Sequence, residues 1–289
     1  ASDVYMCEDP ATRSLRVWES AAPTPPPEAA TYHADPRIAE AQAGIDTMER
    51  MVPEMKAMHD DTATSTAEAI DLLGMTFRTH HFDGMADVPT YAAWWERCDM
   101  APAYTFHREV LELVGWQCPP TRWHLKNPPD LFCLQVIEAV YPDVRFVWTH
   151  RRPSAVLASV CSIMATVQEM SCAHIDRSAM GPRYTELWAR GVEAAMEHRA
   201  ACGDDRFVDV HLADLVADPV GTVASVYEAV DWDFTADSEQ SVAAWAAEHP
   251  PGRHGDHRPD PDEFGLVPAA VDDRFAAYLD RFDLSGGDR

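Results

Sequence analysis

Two short runs rich in β-branched and aromatic residues constrain this chain most. They are VRFVWTH at 144–150 and RFVDVHL at 206–212, and two helical stretches lie between them. Runs of strand length bounded by turn or helix-start residues, here Arg151-Arg152-Pro153, read as buried strands. Strands joined through helices pair in parallel, because only a long crossover brings the second strand alongside the first in the same direction. The first intervening helix is expected over 154–170, where Val156, Val160, Ile163 and Val167 share one stripe, and the second over 183–201. A further short strand is read at 122–126 (RWHLK), closed by Pro128-Pro129, with a helix at 131–139. The fold class that follows is α/β: a three-layer parallel sheet flanked by helices, with its core at 122–230.

The rest of the chain divides by texture. Residues 21–37 are Pro-rich and predict an extended surface excursion, since proline lacks a donor and fixes φ. Residues 38–114 read as mostly helical. One helix is expected over 38–60, with a kink at Pro53. Another is expected over 65–77, with Ser65 or Thr66 as N-cap and Glu68 in the first turn. Two more are expected within 89–114. Helices are also expected at 219–230, 237–248 and 269–282, with a long polar loop at 249–266 (HPPGRHGDHRPDPDEFGL). The whole length of 289 residues suits one large domain.

Charge narrows the function. Lys and Arg number 23 against 48 Asp and Glu, a formal charge of −25, which repels phosphate backbones and anionic lipid heads. Nucleic acid and membrane are therefore not expected as partners, and no apolar run approaches the roughly 18 residues that span a bilayer. The first 20 residues lack a basic-then-apolar leader pattern. The seven cysteines (7, 98, 118, 133, 161, 172, 202) form no CxxC or CxxxC pair, which predicts reduced buried thiols, a cytoplasmic setting and no metal site.

Within so acidic a chain, basic residues gather at two places: Arg145, His150, Arg151 and Arg152 at the end of one strand, and Arg253, His254, His257 and Arg258 in the late loop. Ligands of open α/β sheets bind beyond the carboxyl ends of the strands, where a helix N-terminus offers free N–H groups to an anion. Arg151 and Ser159 with those amides suit a phosphate; the alternative is that Arg151 and Arg152 pair with surface carboxylates. Lys126, at a strand end beside a turn, suits stabilisation of a leaving oxygen, against the alternative of a solvated lysine. No GxxxxGK[ST] is present, so a P-loop kinase or NTPase is the weaker reading.

The stretch WHLKNPPDLFCLQVIEAVYPDVRFVWTHRRPSAVLASVCSI resembles the core of the sulfotransferases, and in particular a bacterial, largely actinobacterial branch. YAAWWERCD with YTFHREVLELV, RFVDVHLADLVADPVGTVASVYEAV, GRHGDHRPDPDEFGL and DPATRSLRVWE with PTPPPE are similar to further segments of that branch, in order. The resemblance implies a P-loop-like α/β fold and transfer of a sulfuryl group from 3′-phosphoadenosine 5′-phosphosulfate (PAPS) to a hydroxyl or amine of a small-molecule acceptor, without a metal. Residue by residue, it implies that Arg151 and Ser159 grip the 3′-phosphate and that Arg253, His254 and Gly255 close over it. It further implies that Lys126 meets the bridging oxygen. The base that deprotonates the acceptor is sought among His59, Glu68, Asp130 and His124, with a helix cap at Leu131 as the alternative role of Asp130. Two departures stand out. Arg152 replaces the family's acid after His-Arg, and the family's first strand and 5′-phosphosulfate loop have no counterpart, as expected of a fragment or of a chain that has lost half its donor site. The rival expectation is a non-catalytic relative that binds a nucleotide or a protein.

Overall fold

A computed structural model of the chain describes residues 5–7, 9–58, 61–250 and 259–284. At its centre, β1 (Phe146–His150) pairs in parallel with β2 (Phe207–His211), in a register running from Phe146 opposite Phe207 to His150 opposite His211. The crossover consists of two helices, α5 (Pro153–Glu169) and α6 (Arg177–Cys202). Before the sheet come α1 (Pro36–Met51), α2 (Ile70–Gly74), α3 (Ala101–Gly115) and α4 (Leu134–Val140). After it come α7 (Pro219–Ala229), α8 (Ala236–Glu248), α9 (Pro268–Arg274) and α10 (Ala276–Arg281).

The alternation of side chains along a strand sorts the two faces. Phe146, Trp148 and Phe207 point into a core shared with Leu157 and Cys161 of α5, Tyr184 and Leu187 of α6, and Tyr278 of α10. Val147, Val208 and Val210 point the other way, against Val223, Val226 and Tyr227 of α7 and Val242 of α8. Helices thus cover both faces, and the three-layer α/β architecture expected from the sequence is present.

Several local expectations change. Residues 122–126 are not a strand among the described residues: Trp123 alone forms a parallel bridge with Arg13, held by Arg13 N–H to Arg122 O (2.8 Å) and His124 N–H to Arg13 O (2.9 Å). Strand character depends on a neighbour along the whole run, and the other side of this segment faces a cavity rather than β1. The helix expected at 65–77 shrinks to α2, because Thr66 bridges Arg16 and the backbone of 65–67 pairs with that of 15–17. Neither Ser65 nor Thr66 caps it, and Glu68 precedes the helix. At Pro53 the expected kink is a full stop: α1 ends at Met51 and a short turn, Met55–Met58, follows. Proline lacks the donor that would continue the ladder and disfavours helical geometry at Val52 before it. The helix expected at 269–282 is two helices broken at Phe275, and α6 starts six residues earlier than expected, at Arg177, capped by the Asp176 side chain accepting from Ala179 N–H. All seven cysteines are free; Cys7, Cys133 and Cys161 are buried as expected, but Cys202 is exposed. No helix of the described residues is long and apolar enough to cross a membrane.

Candidate functional site

A cavity of about 1030 Å³ lies between the 120–130 segment and β1. It is at the upper end of the size range of small-molecule sites. Its walls reverse the charge balance of the chain. Four basic side chains line it (Arg122, Lys126, Arg145 and Arg151) against two acids (Asp130 and Asp143), whereas the whole sequence has 23 basic and 48 acidic residues. Trp123, Trp148, Trp188 and Trp232 supply flat apolar walls, and Arg122 lies over the Trp232 ring at 4.5 Å.

Lys126 reaches the cavity from the extended segment that follows the Trp123 bridge. Its ammonium contacts the Glu68 carboxylate, and Ala69 N–H donates to Lys126 O (3.1 Å), so two segments far apart in sequence are joined at this point. The structure therefore brings Lys126 and Glu68 together. One turn on, Asp130 sits in a 3₁₀ turn (Pro128–Phe132), where its Oδ1 accepts from the Tyr104 hydroxyl and from Asn127 Nδ2 (2.6 Å). It does not cap α4, which begins only at Leu134. Burial pushes the Asp130 carboxyl up to about 6; the hydrogen bonds from Tyr104 and Asn127 oppose the shift, and the nearby Glu68 charge adds to it. An acid that titrates close to neutrality inside a cavity is suited to taking up a proton. His124 also lines the cavity, half-buried.

Arg151 stands at the carboxyl end of β1, exposed toward the same cavity, and among the described residues its side chain has no ion-pair partner. Behind it, α5 begins at Pro153 with no side-chain cap and no acid in its first turn, so its leading N–H groups suit an anion. Arg152 is engaged differently: its Nε (2.9 Å) and guanidinium NH₂ (2.7 Å) both donate to Asp272 Oδ2, which realises the carboxylate-pairing alternative for this residue. Ser159 is half-buried further along α5 and is not one of the lining residues, which on that helix are Pro153, Val156, Leu157 and Val160. The structure thus does not bring Ser159 and Arg151 to one wall. His59, Arg253, His254 and Gly255 lie outside the described residues, as do His257 and Arg258.

His150 does not belong to the basic cluster either. It is 1% exposed, its Nε2 lies 2.8 Å from Asp209 Oδ1, its Nδ1 lies 3.0 Å from the Tyr278 hydroxyl, and its ring stacks on Phe282. Burial lowers its pKa despite the Asp209 partner, so it is a neutral imidazole, donating through Nε2 and accepting at Nδ1. Burial alone would raise Asp209, but hydrogen bonds from His150 and from the Arg199 fork (2.6 and 2.8 Å) outweigh it and hold the carboxyl well below the usual range. Tyr278 completes the chain of contacts through a hydrogen bond with the Arg151 backbone. The network fixes where β1 ends and where Arg151 begins. Tyr104 and Tyr278 are contributors that sequence reasoning missed; neither carries a local signal, since their partners are 26 and 128 residues away.

A family model described as the Sulfotransferase family matches residues 11–236. The chain belongs to this family. Two solved structures agree with the assignment. The crystal structure of sulfotransferase STF1 from Mycobacterium tuberculosis H37Rv is similar at 30% identity with a TM-score of 0.83, over 96% of this chain and 72% of that one. That of sulfotransferase STF9 from Mycobacterium avium is similar at 27% identity with a TM-score of 0.85, again over 96% and 72%. No curated protein matches the chain. Membership in the sulfotransferases accounts for a cation-lined cavity in an acidic protein, since sulfuryl transfer handles anionic groups.

Proposed function

We propose that this family member transfers a sulfuryl group from PAPS to a hydroxyl or amine of a small-molecule acceptor, in the cavity between the 120–130 segment and β1. The observation that carries the reading is the local reversal of charge: four basic side chains against two acids on the walls of one cavity in a chain of net charge −25. Arg151 and the uncapped start of α5 hold the donor's 3′-phosphate, with Arg253, His254 and Gly255 as additional groups. The Lys126 ammonium stabilises the charge that develops on the oxygen leaving sulfur. Asp130 receives the acceptor's proton as the new S–O bond forms, since a carboxyl with a pKa of about 6 is mostly ionised at neutral pH yet basic enough to accept it. Glu68 orients Lys126 through their contact. Positioning and charge stabilisation dominate such a transfer, and no resident metal is assigned a part in it.

One observation favours the rival reading of a binder without transfer: the Lys126 ammonium is already held by Glu68. Transfer of radiolabelled sulfate from PAPS to a mixture of phenolic, alcoholic and amine acceptors separates the two. Transfer by the native chain is expected, and Lys126→Ala should lower its rate by about 10²–10³-fold, the range for removing one preorganised charge-stabilising group. Nucleotide binding with no transfer to any acceptor would leave the binder.

A further inference from the structure

Away from the cavity wall, three residues with metal-ligating groups converge at the end of α6. His198 and Cys202 are one helical turn apart, so both project from the same face of that helix. Glu138 reaches them from α4. One ligand atom from each residue lies within 4.8 Å of the other two. A tetrahedral zinc ion with bonds of about 2.0–2.3 Å needs its ligands somewhat closer than this, a shift that side-chain rotation alone can supply.

Three further features favour a cation here. First, the His198 Nε2 lies 2.9 Å from Glu138 Oε2 but off the line of a hydrogen bond, so this buried nitrogen has no hydrogen-bond partner among the described residues. Second, the Glu138 carboxylate is oriented from behind: Arg206 Nε holds Oε1 at 3.0 Å and leaves Oε2 toward His198. Arg206 is itself anchored, donating to Pro142 O at 2.7 Å, so it fixes the carboxylate rather than following it into the site. Oriented ligands of this kind raise metal affinity. Third, α6 is 26 residues long and ends at Cys202, and the carbonyl end of a helix dipole favours positive charge.

We propose that Glu138, His198 and Cys202 bind a zinc ion through a carboxylate oxygen, an imidazole nitrogen and a thiolate sulfur, with water in the fourth position. Thiolate and imidazole select zinc and its neighbours over magnesium or calcium. Binding releases the Cys202 thiol proton to solvent, and the imidazole binds as the neutral base. The two negative ligands balance the dication, and Arg206 places a positive charge on the outer side of Glu138. The role is a staple. Leu134 and Ile137 of α4 line the cavity, so an ion on Glu138 ties a cavity-wall helix to the far end of α6.

The test uses the full chain, stripped of metal and titrated with Co²⁺, then with Zn²⁺ in competition. The native protein is expected to take one equivalent of Co²⁺ with a near-ultraviolet thiolate-to-cobalt band that Zn²⁺ abolishes and Mg²⁺ does not. Cys202→Ser should remove the band, and both Cys202→Ser and His198→Ala should weaken Zn²⁺ binding by about tenfold or more. Cys172→Ser should leave both unchanged. Cys202 is exposed and at a helix end, so its replacement keeps the test independent of folding, and circular dichroism checks His198→Ala. Absence of the band in the native protein, its persistence in Cys202→Ser, or its loss in Cys172→Ser would each overturn the proposal.

Discussion

Asp130→Asn isolates the cost of an ionised carboxylate in the cavity wall. Tyr104 and Asn127 both donate to the same oxygen, Oδ1, so an asparagine placed with its Oδ1 there keeps both hydrogen bonds and removes only the charge. Burial raises the folded-state pKa from 3.8 to about 6. The sign follows directly: a group whose pKa is raised on folding stabilises the fold fully below its unfolded value and loses that contribution as pH rises through its folded value. Here the window runs from about 3.8 to about 6. The shift is worth about 3 kcal/mol at 1.36 kcal/mol per unit, and the wild type therefore loses about that much relative to Asp130→Asn between pH 4 and pH 7. Urea unfolding of both proteins at several pH values measures the difference. A stability gap between wild type and variant that stays constant across this window would refute the raised pKa and, with it, the argument that Asp130 is poised to accept a proton.

Gly181→Ala should destabilise the fold by about 1–3 kcal/mol, the cost of overpacking a close contact. A Cβ there would lie 2.2 Å from the Phe264 backbone oxygen, and thermal unfolding reads the loss. Arg152→Ala should cost about 1 kcal/mol in stability through loss of its partly exposed bridge to Asp272. Calorimetry should find its affinity for adenosine 3′,5′-bisphosphate unchanged; a marked loss would move the phosphate grip from Arg151 to its neighbour.

The parts of the fold that were legible in the sequence are those whose reasons are local. The runs at 144–150 and 206–212 became β1 and β2 because β-branched and aromatic residues suit a pleated strand packed on both faces, and the Val156 stripe marked α5. Residues 122–126 have the same texture but pair at Trp123 alone, because a strand is completed by its neighbours and not by its own side chains. Glu68 read as a first-turn acid, yet Lys126, 58 residues later, claims its carboxylate, while the backbone before it pairs with residues 15–17. His150 read as a cation in a basic cluster; burial beside Asp209 and Tyr278 makes it a neutral link in the network that ends β1. His198 and Cys202 are four residues apart on one helix, but one histidine and one cysteine at that spacing carry no metal signature by themselves, and only the fold brings Glu138 alongside.

On the proposed reading, Arg151, at the carboxyl end of β1, holds an anionic nucleotide in the cavity that Lys126 also lines. Calorimetric titration of the native chain and of Arg151→Ala with adenosine 3′,5′-bisphosphate tests it most directly. Binding by the native chain, weakened by about 1–3 kcal/mol in the variant, is the predicted result, the range for losing a hydrogen bond to a charged group. Equal affinity in the two proteins would contradict the account.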